Sequence, residues 1–545
     1  MRMAQEGCHI GARLAGEGDE AVRHLTFHPG SNLRDILNCS SARVRSACAG
    51  IGACGLCRLR IDEGAAGPPT AAEILHLGEE AVAGKTRLAC QVVPGGDMDV
   101  TVLEPAVPSP WRAPALTRYQ AAYPLAPGRA ARGFPLCLAV DLGTTQITVA
   151  ICDVASGRCL AARSGPNPQG RLGADVISRL DAAARQELVA QRLRGWVVEA
   201  IGSALVDLSQ GEGIALDEVG RARVVGNSAM LTLLGGGRPE ALLDPASWQA
   251  PFGCSLDAVS ELPEAWNLAP SVAIELAQPL GGFVGSDLLS GIVHCRLLDS
   301  AQPALLVDFG TNSEIGLWDG ERLWVTAVAG GPAFEAAGIG CGMGAEPGAI
   351  HRLSRSPGGA WLGQALESRI PRGMCGSGLV DMLAILRAGG EVDERGRLLR
   401  EPLVIAVGGA EFTVSKADVD LLQRAKAAVG AGIAVLLLRA GLRFDQIGTV
   451  HVAGSFGEHL DVGNAERIGL LPPIPAARVR LAGNTALHGA LDVLLSDEAG
   501  AAEARARRSA RLINLSMEEE FEELFVDHLH IRPVAARAPA DDHPW

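Results

Sequence analysis

The chain has 545 residues, 48% of them apolar, which is enough material for several domains with cores of their own. Its 48 Lys+Arg stand against 62 Asp+Glu, a net charge of −14, which argues against nucleic acid or an anionic membrane as the main partner. Two Tyr leave no aromatic platform for stacking bases.

The opening MRMAQEGCHIGARL has no apolar stretch after its basic residue, and the apolar run IAVLLL from Ile433 stops at Arg439. A cytoplasmic protein is therefore expected, with no membrane partner, and in that compartment grouped cysteines read as metal ligands. Cysteines outside the one grouping, such as Cys137, Cys152 and Cys295, are expected to fill cores.

The first hundred residues read as short strands and turns with one early helix. VRHLTF alternates like a strand, PGS opens the short helix NLRDIL, and RLRI is a second strand. Thr70 with Glu73 in TAAEIL forms a capping box. Between these lies CAGIGACGLC, carrying Cys48, Cys54 and Cys57, and Cys90 follows in RLACQ. The spacing is C-x5-C-x2-C, then 32 residues to the fourth cysteine. Three thiolates on a tight loop and one from afar suit a 2Fe-2S cluster, and Gly50, Gly52 and Gly55 let backbone N–H groups approach the sulfur. Zinc is the alternative, but zinc usually takes two CxxC knuckles and only one is present. A domain over 5–104 is expected.

Residues 105–134 change texture. Six Pro and many Ala, with little periodicity, predict a semi-rigid linker that lets the first domain swing. Beyond it, apolar strand runs (LCLAV, ALLVDF, TVHVAG) alternate with helical stretches such as DLLQRAKAAVGAGIAVLLLRAGL, the pattern of a layered α/β fold. Asp141-Leu-Gly-Thr-Thr recurs as Asp308-Phe-Gly-Thr-Asn, which points to two related halves, 135–300 and 301–535. The Pro- and Ala-rich tail 536–545 is expected to fray.

The repeated phrase carries chemistry. Binding a triphosphate takes backbone N–H groups, hydroxyls and a carboxylate-supported metal. Gly143, Thr144 and Thr145 are candidate phosphate contacts, with Asp141 holding Mg²⁺ through water. Gly310, Thr311 and Asn312, with Asp308, repeat the device. In VHVAGSFGEHL, Gly454, Ser455, Phe456 and Gly457 suit close approach to adenosine. One DxGT alone is weak, because hairpins with Asp and Gly are common; two followed by AGSFG are far more specific. These loops resemble the phosphate and adenosine motifs of the actin, heat-shock chaperone and sugar-kinase (ASKHA) superfamily, which implies a duplicated α/β fold closing on ATP. Ser455 stands where that superfamily often has glycine.

The cysteine module resembles ferredoxins of the vertebrate and putidaredoxin-like type, which implies an α+β, β-grasp domain. NPQGRLGADVISRL, VVGNSAM, GGFVGSDLLSG, RGMCGSGLVD and LAGNTAL, taken with both modules, resemble the reductive activators of corrinoid proteins from about His24 to Ile531. That resemblance implies a 2Fe-2S cluster, ATP and Mg²⁺ as cofactors. Its implied partners are a corrinoid protein of a methyltransferase system and an upstream low-potential electron donor, with a homodimer left open. It implies ATP-driven one-electron reduction of Co(II) to Co(I). A potential gap of ~150 mV costs ~3.5 kcal/mol at 59 mV per tenfold. The rival readings are activation of another metalloenzyme and a redox-sensing chaperone-like module.

Other residues carry two readings each. Glu335 in GGPAFE and Glu314 in TNSEIG orient water or Mg²⁺, or cap turns. Asp287 is expected to N-cap a helix. Cys375 has no legible His/Asn set around it and reads as part of a helix-opening loop. His451 and His459 read as core or surface imidazoles. Lys426 either contacts nucleotide or snorkels from its helix.

Overall fold

The computed structural model describes residues 8–18, 21–27, 30–38, 40–45, 48, 50–106, 111–114, 119–126, 134–173, 175–248, 256–328, 330, 332–336, 338–367 and 370–534. The expected tail 536–545 lies outside them.

The N-terminal sheet contains β1 (Cys8–Leu14), β2 (Arg23–Phe27), β3 (Arg58–Glu63), β4 (Thr86–Leu88) and β5 (Met98–Val102) in the order β2-β1-β5-β3-β4. β1 and β5 run parallel and the other pairs antiparallel. Helix Leu33–Asn38 drops Leu33 and Leu37 into a core with Ile10, Leu59, Leu88 and Val100. Thr70 and Glu73 form the expected capping box, and buried Glu73 also takes two hydrogen bonds from Arg87 at 2.8 Å.

The second sheet contains β6 (Leu136–Leu142), β7 (Gln146–Asp153), β8 (Cys159–Pro166), β9 (Val219–Gly226) and β10 (Ala273–Leu276), in the order β10-β9-β6-β7-β8. The third contains β11 (Ala304–Phe309), β12 (Ser313–Trp318) and β13 (Leu323–Val328). Next in the chain come a small sheet of β14 (Ala349–Arg355), β15 (Trp361–Ala365) and β16 (Gly373–Met374), and a hairpin of β17 (Leu403–Val407) and β18 (Ala410–Val414). Strands β19 (Thr449–Ala453), β20 (Val479–Gly483) and β21 (Ala510–Leu512) then complete the third sheet as β20-β19-β11-β12-β13-β21.

The two large sheets repeat one plan. An antiparallel meander, β6-β7-β8 or β11-β12-β13, gains two parallel strands beside its first member. The repeated Asp-x-Gly-Thr phrase sits at the same place in both, the first hairpin turn. The long helices Glu187–Glu212 and Lys416–Ala440 bury Leu193, Val197, Ile201 and Leu205 on the second sheet and Val429, Ile433 and Leu436 on the third. Lys416–Ala440 has the length and hydropathy of a membrane span, and 78% of its most apolar window is buried inside the fold.

Two helices cross between the halves. Ser286–His294 packs Leu288, Leu289 and Ile292 against the third sheet, while Thr485–Leu495 packs Leu487 and Leu491 against Cys137 and Cys152 of the second. Those cysteines are core fillers, 1% and 0% exposed.

The linker differs from expectation. Its described residues are pinned, because their aromatic side chains find hydrogen-bond partners in the two halves. Trp111 is 5% exposed and donates to Ser203 Oγ at 3.1 Å. Arg112 bridges Ser164 at the edge of β8. Both tyrosines of the chain lie here: Tyr119 donates to Asp492 at 3.1 Å, and Tyr123 to the Val293 carbonyl at 3.0 Å.

Candidate functional site

The cysteine loop turns through positive φ at Gly50, Gly52 and Gly55 (84°, 82° and 66°), conformations that favour glycine. The thiols fall into two pairs. Cys48 meets Cys54, and Cys57 meets Cys90; Cys57 is 2% and Cys90 8% exposed. At Cys48, burial opposes ionisation, but hydrogen bonds from Cys54 and from the backbone of Cys54, Ala53 and Gly50 outweigh it and hold the thiol below its usual range. Cys90 is lowered to about 6, first by the hydrogen bond from Cys57, against burial, with help from Gln91, the Arg34 charge and the Gly52 backbone. Cys57 is raised by the same pairing and by burial. Among the described residues no three His, Cys, Asp or Glu converge on a single-ion position. Two thiol pairs ringed by N–H donors instead fit a two-iron group, which takes two thiolates per iron.

The second site is the cleft between the halves. The turn Gly143–Thr145 of β6-β7 meets the turn Gly310–Asn312 of β11-β12. Thr145 Oγ1 lies 2.9 Å from Thr311 Oγ1, and both lie on Glu335 Oε2, at 2.9 and 2.6 Å. Each hydroxyl has one proton, so two of these three contacts carry a hydrogen bond at a time. Thr145 is exposed, whereas Thr144 turns inward, 5% exposed, and accepts from Asn227 Nδ2 at 2.8 Å. Buried Arg179 donates to the Thr144 carbonyl at 2.8 Å, and Asn167 to that of Gly143 at 2.9 Å.

Beneath the turns lies a group of carboxylates. Asp141 accepts from Asn484 Nδ2 at 2.7 Å; burial pushes it up to about 6 although Asn484 pulls it down. Burial, then the charges of Asp287 and Asp141, push Asp308 up to about 8. Asp287 is pushed up to about 7, first by burial and then by Asp141, with the Leu288 backbone pulling down. Glu314, directly opposite Asp308 in the ladder, is raised by burial and by Asp287 and Asp308. Among the described residues these acids do not close on one ion position, so an all-oxygen set of this kind could hold a Mg²⁺ only through its waters.

Asp287 does not cap its helix, contrary to expectation. Gly285 occupies the N-cap and a Cβ there would strike Asp287 Oδ1 and the Asn227 backbone, so the carboxylate is left to the acidic group. Gly454, at φ 86°, lies against the Phe309 carbonyl and within 3.0 Å of Asp308 Oδ1, measured from where a Cβ would stand. A Cβ on Gly457 would stand 3.0 Å from the Val452 carbonyl. The Phe456 ring turns into the core, 8% exposed, with centroids 5.0 Å from Phe309 and 5.2 Å from Phe334. The aromatic trio thus ties the second Asp-x-Gly-Thr turn, the Glu335 turn and the AGSFG loop together. The Ser455 side chain lies outside the described residues.

Lys426 neither reaches the cleft nor snorkels. It is 1% exposed and lowered to about 7 by burial, and it donates to the His528 and His530 carbonyls, fastening the last helix. Cys375 is the N-cap of helix Gly376–Ala388, its thiol 3.5 Å from the Ile350 carbonyl and from Ser377 Oγ. His459 packs on His351 at 4.6 Å between centroids. Burial first, then Arg480, lowers His451 to about 4.

Asn227, Asn484 and Arg179 were not legible as site residues. A signal existed: Gly226-Asn227-Ser228-Ala229 returns as Gly483-Asn484-Thr485-Ala486, each Asn capping a helix after a strand. The free amide of each cap donates to the first turn or its aspartate.

Residues 302–539 match the family profile described as the C-terminal domain of RACo, the ASKHA domain, and 136–300 match the RACo middle region. Residues 19–95 match the 2Fe-2S iron-sulfur cluster binding domain. The chain is 30% identical over 418 residues to the corrinoid activation enzyme RamQ of Eubacterium limosum, covering 71% of this chain and 69% of that protein. It is 26% identical over 234 residues to the [Co(II) methylated amine-specific corrinoid protein] reductase of Methanosarcina barkeri, covering 39% and 42%. A solved structure, the reductive activator for corrinoid,iron-sulfur protein, superposes with TM-score 0.67 at 25% identity over 97% of this chain and 100% of that one.

Proposed function

The chain belongs to the family of reductive activators of corrinoid proteins, and from that premise we propose that it reduces the Co(II) of a corrinoid protein to Co(I), one electron at a time, at the expense of ATP. The observation that carries this reading is the convergence of Thr145, Thr311 and Glu335. Two halves of a duplicated fold bring matching turns onto one carboxylate, the geometry a nucleotide-driven clamp needs.

When bound, the 2Fe-2S cluster supplies a one-electron carrier and the nucleotide a phosphoanhydride to hydrolyse. Cys48, Cys54, Cys57 and Cys90 would hold the cluster. Gly143, Thr145, Gly310, Thr311 and Asn312 would hold the phosphates, entering where the two hydroxyls now meet. Asp141, Asp308, Asp287 and Glu314 would hold the waters of Mg²⁺, and Glu335 would orient the attacking water. Gly454 to Gly457 would approach adenosine through backbone, since the Phe456 ring is committed to the core. Closure helps only if it changes affinity for one cobalt state.

The test mixes anaerobically purified protein, a low-potential donor and a corrinoid protein, and follows the Co(I) absorbance band with and without ATP. A chaperone-like module would show no ATP-linked reduction.

A further inference from the structure

The N-terminal domain is docked on both halves of the ATPase at once. On the first half, Arg34 forms an ion pair with Glu212, and Arg43 with Asp207 at 3.1 Å, both acids near the C-terminal end of helix Glu187–Glu212. Arg163 of β8 binds the same two acids, Glu212 at 3.0 Å. On the second half, Glu367, in the turn after β15, accepts from the Ser41 backbone N–H at 2.9 Å.

Arg34 is also a neighbour of the cysteine loop. Its side chain is 7% exposed, and its guanidinium lies 3.1 Å from where a Cβ on Gly50 would stand. Its charge acts on Cys57 and Cys90. One guanidinium is therefore shared among a carboxylate of the ATPase, the Asp35 carboxylate of its own domain at 2.7 Å, and the thiols that would hold iron.

Resting on the two-iron reading of those thiols, we propose that Arg34–Glu212 is a redox-released latch. While the cluster is oxidised, Arg34 stays on Glu212 and the domain straps the two halves together. Transfer of one electron from an external low-potential donor adds one negative charge on the other side of Arg34. The guanidinium is drawn toward the thiolates and its hold on Glu212 weakens, which shifts the domain from docked toward undocked against the remaining Arg43–Asp207 and Ser41–Glu367 contacts. Glu212 keeps Arg163 when Arg34 leaves, so release strands no lone buried carboxylate. Linkage fixes the converse: docking lowers the midpoint potential by the factor by which reduction weakens docking, 59 mV for each tenfold. Arg34 acts here as a positioning residue.

The test uses the full chain, anaerobic, with iron content and absorbance measured first. Small-angle X-ray scattering is recorded on oxidised and dithionite-reduced protein, and the midpoint is titrated by EPR. Reduction should enlarge the radius of gyration of the wild type. Glu212→Gln should be enlarged already when oxidised, with a midpoint raised by 59 mV for each tenfold of lost coupling. If that variant does not fold, Glu367→Ala removes the acceptor of the Ser41 N–H, and with it the hold on the second half, without touching Asp207 or Glu212, and it should enlarge the oxidised protein too. Iron-replete wild type whose scattering is the same in both redox states overturns the latch alone. Protein that takes up no iron overturns the cluster reading, and the latch with it.

Discussion

The hydroxyls of Thr145 and Thr311, 166 residues apart in sequence, lie 2.9 Å apart in the cleft and share the carboxylate of Glu335. Neither half could build this contact alone. Glu335→Gln keeps the shape but removes the charge that would orient water, and Thr311→Val removes one hydroxyl. Glu335→Gln should slow ATP-linked Co(I) formation by about 10² or more while leaving the iron–sulfur spectrum unchanged. ATPase rates and absorbance on the same sample check both halves of that statement.

The acidic group makes stability depend on pH with a definite sign. Asp141, Asp287 and Asp308 ionise near 3.8 in the unfolded chain but hold protons to about 6, 7 and 8 in the fold. As pH rises through that window the unfolded state ionises first, so the nucleotide-free protein should lose stability between pH 4 and about 8 and then level off. Mg²⁺ favours the ionised acids, so it should raise the melting temperature more at pH 8 than at pH 5. Asp308→Asn should flatten the slope. Thermal unfolding across pH, with and without MgCl₂, measures this; a Mg²⁺ effect equal at both pH values would rule it out.

Asn484 comes from the second half yet holds Asp141 of the first. Asn484→Ala should cost about 1–3 kcal/mol through the acceptor left buried, and should weaken Mg²⁺ dependence because Asp141 then keeps its proton longer. Denaturant melts and a Mg²⁺ titration of ATPase activity separate the two effects.

The pinned linker predicts modest, local losses. Tyr119→Phe and Tyr123→Phe should each lower stability by about 0.5–1.5 kcal/mol, with cluster content and ATP binding retained. No loss in either variant would mean that the linker aromatics do not anchor it in solution.

Much of this was legible in the sequence because some signals are local. The cysteine loop announces itself through three cysteines within ten residues, and the hairpin turns through a phrase used twice. What was not legible depends on three-dimensional partners. A Pro-rich segment looks loose until Trp111, Tyr119 and Tyr123 find acceptors on distant elements. Asp287 looks like a helix cap until Gly285 is seen to occupy that place with no room for a side chain. Lys426 looks like an amphipathic helix lysine until the last helix offers it two carbonyls. Asn227 and Asn484 carried a signal, the repeated G-N-[ST]-A, but capping alone would explain an Asn there; only the contact of each free amide marks it as part of the cleft.

The most direct measurement is Co(I) absorbance in a mixture of cluster-loaded protein, a low-potential donor and a corrinoid protein, run with ATP, without ATP, and with Asp141→Ala. Co(I) should accumulate only with ATP and intact Asp141, while the variant keeps its iron–sulfur spectrum. Equal Co(I) without nucleotide, or full activity of Asp141→Ala, would contradict ATP-driven reduction.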